Sequence, residues 1–371
     1  NPDPKAIEEM VGRINAANKP VLIAGSGTQY SDARQQLIDF SEKFQVPVLT
    51  TYKRQDAFPN SHPNYIGNLA NANRYTRSLV VNEADLVVVI GSRLNQQTTG
   101  GFAFPWPGQP FIQIYPDELY IGQNLRPDLG IIADAKIALT AALKIQGPRP
   151  NESRAAWVAQ HHAAQKHYST PPERPTRRVS MERVMADLKA ALPSDAITAT
   201  DAGSFGQWPQ RYLEFEHPDS YISPTLGCMG PGIPSAVAAK LAHPGRLVVA
   251  HIGDGGFLMT GQEMATAKQF GANIVAIVYN NEGYNSIRMH QEAQYPGRQY
   301  GTALVNPDFA ALGTAYGALG LKVSRDEEFL PALKKAMAAD RPALIEVMTD
   351  FEYVTPSATL SQLAGKRLQG D

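Results

Sequence analysis

Apolar residues along this chain fall into two alternating textures: runs spaced by three and four, and short unbroken runs that end in glycine or a polar turn. The first texture predicts amphipathic helices and the second buried strands. Ile7, Met10, Val11 and Ile14 give a helix over 4–18, with Asp3 as its cap ahead of Pro4. A strand follows at 20–24 and ends in Gly25-Ser26-Gly27. Then come a helix at 31–44, strands at 46–50, 85–90, 111–114 and 131–133, and a helix at 135–143. Beyond 147 the pattern breaks, and Pro148, Pro150, Pro171, Pro172 and Pro175 punctuate a polar stretch with one helix inside it, at 153–168. The rhythm then resumes, with helices at 180–192, 233–243, 262–270, 309–317 and 327–339 and strands at 196–199, 246–252, 273–279 and 343–348.

Strands that alternate with helices predict parallel sheets covered on both faces. The expected fold class is α/β, with two doubly wound parallel-sheet domains at 1–147 and 179–355, a linker at 148–178 and a C-terminal tail at 356–371. A length of 371 residues, 43% of them hydrophobic, suits two such cores. The net charge of −1 leaves no basic footprint for nucleic acid. Cys228 is the only cysteine, which excludes an internal disulfide framework, fits a reducing cytoplasm and reads as a small packing residue. No apolar run approaches the ~20 residues of a membrane-spanning helix. The opening Asn1-Pro2-Asp3-Pro4, with no initiator Met, reads as a linker cut open, and a further segment is expected upstream.

Candidate chemistry concentrates between His251 and Asn285. The run 247–252 empties into Gly253-Asp254-Gly255-Gly256, and the run 274–279 ends in Asn280-Asn281. If the two strands flank one right-handed crossover, Asp254 and Asn281 emerge at the carboxyl edge of one sheet, where open α/β sheets bind ligands. One carboxylate, one amide oxygen and a backbone carbonyl suit magnesium, which takes its other ligands from phosphate and water. The glycines let backbone N–H groups approach phosphate oxygens. A lone Gly-Asp-Gly is usually a turn, and so is a lone Asn-Asn. Their pairing 27 residues apart, each at a strand end, is what points to a diphosphate held through magnesium.

These blocks resemble the thiamine diphosphate (ThDP) motif of the acetolactate synthase, pyruvate oxidase and benzoylformate decarboxylase group. The resemblance implies that Asp254, the Asn281 side chain and the Gly283 carbonyl ligate Mg²⁺, with Gly253, Gly255, Gly256 and Tyr284 along the diphosphate. Gly227-Cys228-Met229-Gly230-Pro231-Gly232-Ile233-Pro234 is similar to a second family segment, in which Met229 would be the apolar wedge that bends the cofactor. Asp201 to Trp208 is similar to a third, with Ser204 beside the diphosphate; Ser204 and Phe205 stand where acetolactate synthases commonly have Gln and His. Ile287 would wall the reacting carbon and His290 would transfer protons, although Ser286 and His290 replace the Met and Trp usual in acetolactate synthases.

By this resemblance residues 1–147 are the family's central domain and 179–355 its diphosphate-binding domain. The family's pyrimidine-binding domain is absent from these residues and is expected in cis upstream or in trans. The chain alone is then expected to be inactive, a fragment or a split subunit that works within a homodimer or tetramer. The implied activity is that of a ThDP- and Mg²⁺-dependent lyase or carboligase joining or cleaving 2-oxo acids and carbonyl acceptors. A non-oxidative decarboxylase and a non-catalytic nucleotide- or diphosphate-binding regulatory subunit are the alternatives. FAD in the central domain is the lesser expectation, because Gly67-Asn68-Leu69-Ala70 departs from the Gly-Met-His-Gly of acetolactate synthases and a Gly-rich turn is weak evidence alone. An NAD-linked Rossmann enzyme is disfavoured, since the Asp254 carboxylate would repel a pyrophosphate without an intervening metal.

Overall fold

The computed structural model describes residues 1–71 and 73–368. They form two compact α/β units, one within residues 1–169 with 214–218, the other within 170–213 with 219–368. The first sheet contains β1 (Pro20–Ala24), β2 (Val48–Thr50), β3 (Tyr65–Asn68), β4 (Leu86–Ile90), β5 (Phe111–Tyr115) and β6 (Leu129–Ile132). All neighbours are parallel, in the order β3-β2-β1-β4-β5-β6. Alternate residues of β1 feed opposite cores: Leu22 and Ala24 pack with Ile7, Leu37 and Phe40, while Val21 and Ile23 pack with Leu79, Val80 and Trp157. Burial on both faces is why its sequence shows no polar alternation.

The second sheet contains β7 (Ile197–Thr200), β8 (Tyr221–Ile222), β9 (Val248–Gly253), β10 (Val275–Asn280), β11 (Leu319–Val323) and β12 (Ala343–Met348). It too is wholly parallel, ordered β11-β12-β10-β9-β7-β8. The chain runs from β7 outward to β8, then returns across β7 to β9. The order therefore reverses between β7 and β9, and at such a switch point the exit turns diverge and leave a crevice at the carboxyl edge.

Three strands of these two sheets escape the sequence pattern, as does the small antiparallel pair Tyr353–Thr355 and Ala358–Thr359. In β3 and β11 a glycine interrupts the run, and a side chain fits at neither place: a Cβ on Gly67, which takes φ +120°, would lie 2.5 Å from Thr76 Cγ2, and one on Gly320 would strike the Ala310 carbonyl. β8 has only two residues. The helix expected at 262–270 is preceded by another, Asp254–Thr260, and the tail after Pro356 carries the helix Leu360–Leu368.

The stretch expected as a linker is corrected by its helix, Glu152–Tyr168, which buries Arg154, Trp157, Val158, His161 and Gln165 within the first unit. Its polar residues are consumed by specific partners, which composition does not reveal. The Arg154 guanidinium donates to the carbonyls of Ile14 and Phe44, each at 3.0 Å, and to that of Ala17. One side chain thus serves the C-terminal ends of two helices, Pro4–Ala16 and Arg34–Phe44. Trp157 Nε1 donates to Glu83 at 3.0 Å, and His161 lies between Glu83 and the Tyr75 hydroxyl.

Candidate active site

The turns leaving β7, β9 and β10 line one cleft of about 240 Å³ in the second unit. Ala202 to Phe205 follow β7, Gly253 to Gly256 follow β9, and Asn281 with Gly283 to Ile287 follow β10; Gly227 and Met229 complete the wall. Tyr279 pairs with Gly253 across the ladder, so the β9 and β10 exits lie level.

Asp254 opens the helix Asp254–Thr260 and is only 3% exposed. Its Oδ1 accepts from Gly255 N at 2.8 Å, and its Oδ2 accepts from Gly283 N at 3.2 Å and Asn306 Nδ2 at 2.8 Å. Burial pushes this carboxyl up, against the pull of those hydrogen bonds, and no lysine, arginine or histidine pairs with it among the described residues. A buried carboxylate with hydrogen bonds and no counter-ion is the environment a cation completes. Asn281 Oδ1 accepts from Gly283 N at 3.1 Å. Between them Glu282 takes the left-handed φ of +61°, which folds the Asn281 side chain and the Gly283 backbone into one tight turn. Among the described residues no group of three or more His, Cys, Asp or Glu is gathered for a metal. A donor set of one carboxylate, one amide and one carbonyl fits a hard cation that relies on phosphate and water for the rest.

The glycines are fixed by what lies over them. A Cβ on Gly255 would sit 2.5 Å from Tyr284 Cε1 and 3.5 Å from Met229 Cε, so Tyr284 and Met229 meet above bare backbone. Met229 is 38% exposed and belongs to the cleft wall rather than to the core. Its loop is held from behind by Asp201, whose two oxygens accept Gly230 N at 2.8 and 2.9 Å while Oδ1 also accepts Ala202 N at 2.8 Å. Gly230 itself, at φ +102°, adopts a backbone that L side chains rarely reach.

Ser204 is buried in the wall, and Ile287 stands in it 55% exposed. His290, expected to transfer protons, is exposed on the helix Asn285–Gln294 and does not line the cleft. Arg288 of the same helix is taken by Glu292 at 3.0 Å and lies over the Phe351 ring. Cys228, expected as a packing residue, is exposed, because it lies in a loop whose residues 225–229 all face solvent. Asn306 is the site residue that sequence reasoning missed. It lies in an irregular stretch ahead of the Asp308 cap, and it reaches Asp254 because Gly283 and Ala303 form an isolated antiparallel bridge.

In doubly wound domains ligands bind in the crevice at the switch point, and a glycine-lined strand exit that opens a helix there suits an anionic group. Residues 7–142 match the model described as thiamine pyrophosphate enzyme, central domain, and residues 201–347 match thiamine pyrophosphate enzyme, C-terminal TPP binding domain. The chain belongs to the thiamine pyrophosphate enzymes and comprises their central and C-terminal domains. It is 29% identical over 362 residues to a probable acetolactate synthase large subunit of Methanocaldococcus jannaschii, covering 95% of this chain and 61% of that protein. A putative thiamine pyrophosphate-containing protein, YdaP of Bacillus subtilis, is 29% identical over 353 residues, 92% of this chain and 59% of its own length. The acetolactate synthase large subunit of Corynebacterium glutamicum is 31% identical over 355 residues, 93% and 57% respectively. The chain thus spans about three fifths of the length of these curated relatives. Among the described residues no helix is long and apolar enough to cross a membrane.

Proposed function

We propose that this chain binds ThDP with Mg²⁺ and serves a lyase or carboligase reaction on 2-oxo acids, as in the acetolactate synthases it resembles. The observation that carries the proposal is the buried Asp254 carboxylate, without a counter-ion among the described residues, beside Asn281 and Gly283 in a glycine-lined cleft. ThDP, when bound, supplies a carbon nucleophile and an electron sink for loss of CO₂.

Asp254, the Asn281 side chain and the Gly283 carbonyl would hold the cation. Gly253, Gly255, Gly256, Tyr284 and Ser204 would lie along the diphosphate, with Gly227 and Met229 beneath the bend of the cofactor and Ile287 as the apolar wall nearest the substrate. A pyrimidine-binding domain, in cis or in trans, would complete the site within a dimer or tetramer, and the single cysteine fits a cytoplasmic setting.

Calorimetric titration with ThDP, with and without Mg²⁺, tests the cofactor half of the proposal, with Asp254→Ala as control. Magnesium-dependent binding that disappears in the variant is expected; binding indifferent to both changes would refute the metal assignment. Product analysis after a pyrimidine-binding domain is supplied tests the chemistry, with a hydroxyketone or 2-hydroxy-2-alkyl-3-oxo acid expected rather than a free aldehyde.

A further inference from the structure

A chain of hydrogen bonds runs from the interior of the second sheet to the carboxylate at the cleft. Glu346 on β12 is fully buried, and its Oε1 accepts from Asn280 Nδ2 at 2.7 Å. Its other oxygen accepts from Ala310 N at 3.3 Å and lies 3.4 Å from Lys322 Nζ. A carboxylate only accepts, so it forces Asn280 to turn its NH₂ inward and its oxygen toward the cleft. That oxygen accepts from Asn306 Nδ2 at 2.9 Å, and the same nitrogen donates to Asp254 Oδ2 at 2.8 Å. Flipping the Asn306 amide would set an oxygen against two acceptors, so its orientation is fixed by Glu346 two residues away in the network.

The consequence falls on Asp254. Its Oδ2 accepts from Gly283 N and Asn306 and its Oδ1 from Gly255 N, while the Glu282 N–H also bears on this carboxyl. With Oδ2 held by the Asn306 amide, Oδ1 is the oxygen that a cation would meet. Asn306 Oδ1, meanwhile, is buried without a partner among the described residues, an acceptor that a water of the cation's shell would satisfy.

We infer that Asn306 is a positioning residue for the cation site: oriented through Asn280 by buried Glu346, it holds Asp254 Oδ2 so that Oδ1 is presented to the metal. This rests on the ThDP–Mg²⁺ reading above. Removing such a partner behind a metal ligand typically weakens metal affinity about 10- to 100-fold.

The test is the Mg²⁺ dependence of ThDP binding to this chain, followed by calorimetry for the wild type and Asn306→Ala. The expected result is a Mg²⁺ requirement raised by about 10- to 100-fold, with ThDP affinity restored at saturating Mg²⁺. A merely structural role would lower affinity at every Mg²⁺ concentration. That outcome, or an unchanged requirement in a variant that still unfolds cooperatively, overturns the inference. Should Asn306→Ala fail to fold, Asn306→Gln keeps the amide but displaces it by one methylene, and it is expected to shift the requirement in the same direction; no shift overturns the inference equally. A wild type that binds ThDP without regard to Mg²⁺ defeats the underlying reading itself, and is told apart from failure of Asn306 because it is seen before any substitution.

Discussion

Both carboxylate oxygens of Asp201 accept a single backbone N–H, that of Gly230, at 2.8 and 2.9 Å, and so tie the exit of β7 to the loop that carries Met229. Asp201→Ala leaves this N–H without its acceptor and frees the loop. The expected loss of stability is about 1–3 kcal/mol by urea denaturation, accompanied by weaker ThDP binding.

Met229 separates position from packing. Because it is 38% exposed, Met229→Ala is expected to change unfolding free energy by less than about 0.5 kcal/mol. Turnover, measured with a pyrimidine-binding domain supplied, is expected to fall at least about tenfold if the methionine shapes the bound cofactor. A stability loss near that of a core Met→Ala, about 2–5 kcal/mol, would return Met229 to ordinary packing.

Gly255→Ala introduces a methyl group 2.5 Å from Tyr284 Cε1. Tyr284 is expected to be displaced over the diphosphate cradle, lowering ThDP affinity roughly tenfold or more while the far-UV circular dichroism is unchanged. Unaltered binding would show that the ring has room to move aside.

His251 makes stability depend on pH. It is fully buried, its Nδ1 lies 2.8 Å from the Tyr279 hydroxyl, and burial holds its pKa down at about 3. The unfolded chain would protonate it near pH 6.5 and the folded chain would not. Its contribution is therefore complete above about pH 6.5 and is lost as pH falls toward 3, at up to about 1.4 kcal/mol per pH unit. His251→Asn keeps an acceptor for Tyr279 and is expected to flatten that slope. The comparison is made as a difference from wild type, because burial raises the Asp201 and Asp254 carboxyls and so opposes the trend.

Arg154→Met removes the guanidinium that caps two helices and leaves the Ile14, Ala17 and Phe44 carbonyls without it. A loss of about 2–4 kcal/mol is expected, read from chemical denaturation. A neutral result would mean that water replaces the side chain without penalty.

What the sequence disclosed follows from how locally each feature is determined. Strands buried on both faces, such as 20–24, 248–253 and 275–280, declare themselves as apolar runs that empty into Gly or Asn, and the cleft is built in part from the exits of the latter two. Gly67 and Gly320 hide their strands because the reason for the glycine, a neighbour within 2.5 Å of a Cβ, is tertiary. Arg154, Trp157 and His161 make 152–168 look like a solvated linker helix because their partners lie 74 to 140 residues away. Asn306 could not be found for the same reason: nothing near it in the chain announces the bridge from Gly283 to Ala303 that delivers it.

The cleft draws on separate turns from Asp201 to Asn306, and each is placed by a different strand exit or loop of one sheet. No contiguous peptide reproduces it, so a ligand that needs the whole arrangement recognises the native state and leaves the unfolded chain alone. Its binding energy then adds directly to the free energy of unfolding, about 2.7 kcal/mol when the ligand is present at a hundred times its dissociation constant. A shift in melting temperature therefore reports occupancy of this cleft for any compound, whether or not a reaction follows.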